Sequence, residues 1–161
     1  MSHAIPSRPQ VSLDRSHIAI VASKYNQVYV DAMLEAARDE LQAIVPNVSI
    51  TVYRVPGAFE VPVTVEKVLR STETDAVIAL GVIIRGETEH GDLVGASVTD
   101  ALQNIAVTHG IPVVHEVLLM DNEEQAEARC IDGEINRGAE AARVAAEMVS
   151  LFKKMGVSRH G

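Results

Sequence analysis

The sequence predicts an open α/β sheet of four parallel strands with helices on both faces, and three observations carry that reading. Four short apolar runs alternate along the chain with longer stretches of helical periodicity, the pattern of βαβ units. The runs are near-continuous rather than alternating, the mark of strands buried on both faces. Each run also ends in a polar, Gly or Pro break, and the residues with chemical potential cluster at those breaks. In open α/β sheets, ligands bind outside the carboxyl ends of the strands.

The elements follow in order. His17-Ile18-Ala19-Ile20-Val21-Ala22 is the first strand. From Val28 to Ile44, Met33, Leu34, Ala37, Leu41 and Ile44 keep helical spacing. Val48 to Val55 is the second strand, and Pro56-Gly57 ends it. Glu60 to Leu69 reads as a helix with Pro62 in its first turn. Ala76 to Ile84 is the most apolar run and hence the central strand. Leu93, Val94, Val98, Leu102 and Ile105 mark a further helix that Gly110 stops. Ile111 to Leu119 is the fourth strand, and a short helix runs from Asn122 through Arg129. After Gly133, an Ala-rich helix runs from about Gly138 to Lys154, and its small residues suit close approach by a neighbour. Residues 1–15 carry Pro6 and Pro9 and read as an arm that a neighbouring subunit would order. Residues 16–161 read as a single domain.

Composition narrows the function classes. A chain of 161 residues can bury about 70% of its unfolded surface, and 47% hydrophobic residues argue against disorder. Aromatics are 3% and Trp is absent, so the core is aliphatic and a base-stacking platform is disfavoured. A net charge of −8 without a basic run disfavours nucleic acid and anionic membrane as partners. An anion would need a local Arg or a helix N-terminus. The single cysteine, Cys130, rules out an internal disulfide and a Cys-rich metal site, and suits a reducing cytoplasm. The N-terminus has no apolar signal region and no segment reaches membrane-spanning length, so a cytoplasmic protein is expected.

Four strand ends hold the candidate residues. At Arg85-Gly86-Glu87-Thr88-Glu89-His90, the Gly lets the backbone turn and presents free N–H groups at a helix N-terminus. That is an anion site to which Thr88 adds a hydroxyl, although an ordinary strand-to-helix turn has the same look. His90 falls in the first helical turn, where the dipole favours a neutral imidazole able to act as a base; alone it reads as a surface histidine. His3, His17, His109 and His160 read as structural, and no two histidines have metal-ligand spacing. Amides of the Pro56-Gly57 turn can read a planar heterocycle, and Glu60 can accept from hydroxyls; the bland alternative is a strand terminator followed by a helix-start charge. Tyr25 can cover a ring whose edge Asn26 bonds. Arg129 and Arg137 can each hold a phosphate through charge-assisted bonds of about 1.5–3 kcal/mol, or stand as solvated helix-end cations.

Val55-Pro56-Gly57-Ala58-Phe59-Glu60-Val61-Pro62 and Leu80-Gly81-Val82-Ile83-Ile84-Arg85-Gly86-Glu87-Thr88-Glu89-His90 together resemble the lumazine synthase family, from about His17 to the last helix. Asp121-Asn122-Glu123-Glu124-Gln125-Ala126 leading to Arg129, and Asn136-Arg137-Gly138-Ala139-Glu140, add to the likeness. The resemblance implies a flavodoxin-like three-layer sandwich. It also implies the riboflavin-pathway condensation of 5-amino-6-ribitylaminouracil with 3,4-dihydroxy-2-butanone 4-phosphate, without metal or cofactor. Its implied partners are copies of the chain, as a pentamer or a 60-subunit shell with each site between neighbours, and riboflavin synthase.

By position, the resemblance gives Tyr25 the stacking role, with Asn26, Gly57, the Ala58 backbone and Phe59 around the pyrimidine. Glu60 binds ribityl hydroxyls, and the backbone of Val82, Ile83 and Ile84 reads the ring. The Glu87 N–H, Thr88 and Arg129 hold phosphate, and His90 transfers protons. His115 and Arg137 come from the adjacent subunit. The chain departs from the family pattern at His115-Glu116, where a ring-covering residue is usual, and at Leu119-Met120, usually Thr-Thr. It also has Gly91 where Phe is usual, and Arg137 for a usual Lys. The alternative is a divergent paralogue that binds lumazine or flavin, or forms a shell, without turnover.

Overall fold

Parallel pairing organises the chain. The computed structural model describes residues 4–133 and 136–157. Its strands β1 (His17–Ser23), β2 (Ser49–Val55), β3 (Ala76–Ile84) and β4 (Val113–Met120) form one sheet in the order β2-β1-β3-β4. All three pairings are parallel; Ile18 stands opposite both Ile50 and Ala76, and Val77 opposite Val113. Helices α1 (Gln27–Ile44), α2 (Val61–Ser71), α3 (His90–His109), α4 (Glu123–Cys130) and α5 (Arg137–Val157) cover both faces. This is the flavodoxin-like three-layer sandwich expected from the sequence.

Alternate strand residues feed two cores. Ile18, Ile20, Ile78 and Leu80 pack with Met33 and Leu41 of α1 and with the alanines of α5. Ala19, Val21, Val77 and Ala79 face Val61 and Val65 of α2 and Val98 and Leu102 of α3. Strand β3 is buried without a break from Ala76 to Val82, which is why it reads as an unbroken apolar run.

Most boundaries shift by one to three residues from the sequence reading, and three of the shifts have a local reason. The helix expected from Glu60 is preceded by a 3-10 turn, Ala58–Glu60, and α2 proper begins at Val61. Strand β4 begins at Val113, because Pro112 has no N–H to give, although its carbonyl still accepts from Val77 at 2.9 Å. Helix α4 begins at Glu123, with Asn122 as its N-cap accepting from the Gln125 N–H at 2.9 Å.

The neighbour that suits the Ala-rich helix is α1 of the same chain. Ala37, Ala141, Ala142 and Ala145 are fully buried between the two helices and the sheet. The approach is closest at Gly138, where an added Cβ would lie 1.9 Å from the Met33 carbonyl oxygen. The arm likewise finds its partners within the chain. Arg8 donates to both Glu40 oxygens at 2.8 and 3.0 Å, while Arg143 donates to Glu40 at 3.0 Å and to the Pro6 carbonyl at 2.7 Å. These bonds tie the arm to α1 and α5 of its own chain. Among the described residues no helix is long and apolar enough to cross a membrane.

The contact at Gly138 gives a stability prediction. Gly138→Ala should lower unfolding free energy by about 1–3 kcal/mol or more, because backbone rather than a flexible side chain must move. Gly156→Ala, in open space on the same helix, should be neutral or stabilising by up to about 1 kcal/mol. Urea denaturation of both variants checks this; equal midpoints would refute the close-packing account.

Candidate active site

The turns after β1 and β2 are tied to each other before any ligand is considered. Lys24 and Tyr25 both donate their N–H to the Pro56 carbonyl at 3.0 Å. Asn26 adopts left-handed backbone angles (φ 58), which Asn tolerates better than most residues. Its side-chain amide donates to the Val82 carbonyl at 2.7 Å, joining the turn after β1 to the end of β3 and leaving Oδ1 as an acceptor. Gly57 lies under the Tyr25 ring: an added Cβ would come 2.8 Å from Tyr25 Cδ2. Glu60 Oε2 accepts the Gly57 N–H at 3.0 Å, and the other carboxylate oxygen has no hydrogen bond among the described residues.

These contacts bound a cleft of about 660 Å³. Tyr25 and Asn26 line it from the turn after β1, residues 57–60 from the turn after β2, and residues 82–84 from the end of β3. His90 completes it from the start of α3. Ten of the fifteen sequence-predicted site residues therefore share one space at the point where the strand order reverses. Tyr25 and Phe59 are 67% and 63% exposed, so flat aromatic surface is open to a ring.

Four lining residues were absent from the sequence-level site: Gly91, Leu93, Val94 and Ser97. The available signal was helical spacing, since positions 90, 93, 94 and 97 share one face of α3. Gly91 and Leu119, two of the departures from the family pattern, are a single packing arrangement. A Cβ at Gly91 would meet Ile83 at 3.3 Å and Leu119 at 3.6 Å, and one at Gly95 would meet Leu119 at 3.6 Å. Leu119 of β4 packs beside α3, so a side chain at 91 would start in contact with Ile83 and Leu119.

The remaining predicted residues lie outside this cleft. Glu87 and Thr88 are exposed in the loop between β3 and α3, and Thr88 Oγ1 accepts the His90 N–H at 3.4 Å. Arg129 makes one hydrogen bond among the described residues, a weak one to the Met120 sulfur at 3.6 Å, so its guanidinium is largely uncommitted. Arg137 begins α5 with Glu140 at 3.2 Å. His115 lines a separate apolar groove with Val107, Val144, Met148 and Phe152. Of the histidines read as structural, His17 bonds the Glu73 carbonyl and Thr51, and His109 pairs with Glu66 at 2.8 Å. His3 and His160 lie outside the described residues. No cluster among the described residues could hold a metal ion.

His115 and Glu116 are consecutive on β4, face opposite layers and have opposite responses to burial. His115 Nδ1 accepts the Val117 N–H at 3.0 Å, so the ring proton sits on Nε2, bonded to Thr99 Oγ1 at 2.8 Å. Thr99 in turn donates to the Gly95 carbonyl at 2.8 Å. The ring is therefore held neutral, and burial keeps its pKa below the ordinary histidine value. Burial pushes the Glu116 carboxyl up to about 7, against the pull of Arg137 and with the repulsion of Glu140.

The two groups give stability slopes of opposite sign. For His115 the unfolded chain binds the proton more readily, so its contribution is present above about pH 6.5 and lost as pH falls. For Glu116 the folded chain binds the proton more readily, so stability falls as pH rises from 4.5 to about 7. Glu116→Gln should therefore stabilise at pH 8, by up to about 3 kcal/mol, and have little effect at pH 4. His115→Phe should flatten the acid-side slope below about pH 6.5. Unfolding midpoints across pH 4 to 8 test both, and parallel curves for all three proteins would refute them.

Known proteins resemble this chain over most of its length. The profile of the 6,7-dimethyl-8-ribityllumazine synthase family matches residues 15–153. A 6,7-dimethyl-8-ribityllumazine synthase from Halorhodospira halophila is 39% identical over 146 residues, covering 90% of this chain and 94% of that protein. One from Campylobacter curvus is 38% identical over 143 residues, covering 88% and 92%. A third, from Paraburkholderia phymatum, is 38% identical over 145 residues, covering 89% and 82%. With the profile spanning most of its length and relatives aligned nearly end to end, the chain belongs to the 6,7-dimethyl-8-ribityllumazine synthase family.

Proposed function

We propose that the chain condenses 5-amino-6-ribitylaminouracil with 3,4-dihydroxy-2-butanone 4-phosphate to give 6,7-dimethyl-8-ribityllumazine. The observation that carries this reading is the meeting of three strand ends and His90 in one cleft with exposed aromatic surface and unspent acceptors. A pyrimidine amine attacks the ketone and the resulting imine forms with loss of water. Phosphate then leaves by elimination, and ring closure expels a second water. Each step moves a proton, and none needs a redox partner or metal. One placed acid-base group contributes typically 10²–10⁴-fold, and holding both reactants together supplies much of the rest.

In this reading Tyr25 stacks on the pyrimidine, with Phe59 beside it. Asn26 Oδ1 and the backbone of Ala58, Val82, Ile83 and Ile84 bond its edge. The free oxygen of Glu60 takes a ribityl hydroxyl. The Glu87 N–H and the Thr88 hydroxyl hold the phosphate at the start of α3, where the helix dipole favours an anion. Arg129 supplies the countercharge, and His90 passes the protons.

Arg129, His115 and Arg137 serve a neighbouring subunit's cleft in a ring of five, free or closed into a shell. Exposed apolar side chains support a ring. Val63 and Leu93 are 68% and 67% exposed near the cleft, and Val107 is 72% exposed beside the His115 groove. Two such different surfaces fit the head-to-tail contact that closes rings.

Appearance of lumazine fluorescence on mixing both substrates with the protein tests the reaction. Retention of lumazine without product formation would instead mark a non-catalytic relative. His90→Ala should slow turnover by about 10²-fold at saturating substrate. Arg129→Ala should raise KM for the butanone phosphate by about 10- to 100-fold, from the loss of about 1.5–3 kcal/mol, with little change for the pyrimidine. Co-assembling equal amounts of the two variants should rebuild intact sites at about a quarter of positions if each site draws on two chains. Activity no higher than that of either variant, in confirmed mixed assemblies, would defeat the shared site.

A further inference from the structure

Arg85 stands at the break after β3, inside the motif that carries the family likeness, and no step above uses it. Each of its three side-chain nitrogens donates to a carboxylate. Nε and Nη2 donate to Asp92 Oδ1 at 3.0 and 2.7 Å, and Nη1 donates to Asp121 Oδ1. Asp92 lies in the first turn of α3, two residues beyond His90, and Asp121 lies between β4 and the N-cap of α4. Gln125 of α4 holds Asp121 twice, its Nε2 donating to Oδ2 at 3.1 Å and its Oε1 accepting the Asp121 N–H at 2.9 Å. Backbone closes the same frame: the Arg85 N–H donates to the Met120 carbonyl at 2.8 Å. Met120 is also the residue whose sulfur takes the Arg129 hydrogen bond.

The loop that this frame flanks has little else to hold it. Residues 86–89 are exposed throughout, a Cβ added at Gly86 would meet nothing within 4 Å, and the one side-chain bond among the described residues is the long Thr88 contact to the His90 N–H. A guanidinium with its fork spent on two carboxylates is a poor free-anion ligand but a rigid brace, because its planar donors fix direction as well as distance. Single exposed ion pairs contribute little, whereas a connected set with fixed geometry has a positional consequence.

We infer that Arg85 is a positioning residue for phosphate recognition, bracing the Gly86–Glu89 loop and the helix that carries Arg129 against the same sheet edge. This rests on the phosphate roles given above to Glu87, Thr88 and Arg129. In the shared-site arrangement the loop serves the chain's own cleft and Arg129 a neighbour's, so each Arg85 sets one half of two phosphate subsites.

The test compares Arg85→Ala, Arg85→Lys, Asp121→Asn and Arg129→Ala by steady-state kinetics, by titration with inorganic phosphate, and by amide hydrogen exchange without substrate. Arg85→Ala should raise KM for the butanone phosphate and Kd for inorganic phosphate about tenfold, leaving the pyrimidine KM within about twofold. Arg85→Lys should restore part of the loss, since one ammonium cannot span both carboxylates with fixed direction. Exchange at residues 86–90 and 123–129 should rise together in Arg85→Ala and in Asp121→Asn. A raised KM in Arg129→Ala with an unchanged KM in Arg85→Ala would overturn the inference. If KM is unchanged in both, the phosphate roles themselves are wrong, and the positioning role falls with them. Unchanged exchange in both segments in the Arg85 and Asp121 variants would overturn the brace independently of any kinetics.

Discussion

Parallel strand pairing is the constraint from which the rest of this protein follows. When β1, β3 and β4 run in one direction, their carboxyl ends must lie along one edge of the sheet. The helices that follow must then begin there, with unpaired N–H groups and positive dipole ends. Reversal of strand order between β1 and β3 opens a crevice at that edge. The turns after β1 and β2 are drawn to one side of it by the Pro56 carbonyl, which accepts from both Lys24 and Tyr25. Asn26, reaching 56 residues along the chain to Val82, closes that side onto β3. The cleft is thus a product of topology, with side chains adjusting a space the sheet has already made.

An acidic protein handling a phosphorylated substrate needs local rather than global attraction. The chain carries a net charge of −8, and its field disfavours an anion in general. In the proposed site that attraction falls to the start of α3 and to Arg129, whose guanidinium makes one weak bond among the described residues. Arg85, in contrast, is neutralised by Asp92 and Asp121, whose carboxyls it holds below their usual range. Hydrogen bonding rather than residue type separates the two arginines: Arg85 is held by two carboxylates, and Arg129 makes one weak bond among the described residues.

Departures from the family pattern are coherent once seen in three dimensions. Gly91 and Leu119 are neighbours across the contact of α3 with β4, where a Cβ at 91 would lie 3.6 Å from the Leu119 side chain. His115 is accommodated by satisfying both ring nitrogens, one from the Val117 N–H and the other through Thr99. Glu116 has no such hydrogen bonds among the described residues, which is why burial lifts its pKa so far.

The strands, the helices and the strand ends that line the cleft are legible in the sequence alone. Ala76 to Val82 could only be a strand covered on both faces, and VPGAFE and RGETEH could only sit at strand ends once parallel pairing was inferred. Local periodicity and turn chemistry hold that information, so it is readable without contacts. Tertiary structure alone decided what each piece meets. Nothing in the run of alanines after Arg137 says that α1 is the partner, or that the Met33 carbonyl occupies the place of a Cβ at Gly138. The spacing of Arg85, Asp92 and Asp121 does not foretell a brace, and His115 carries no sign of its bond to Thr99 sixteen positions away. Such pairings depend on the packing of whole elements, a long-range property that neither helix period nor strand period encodes.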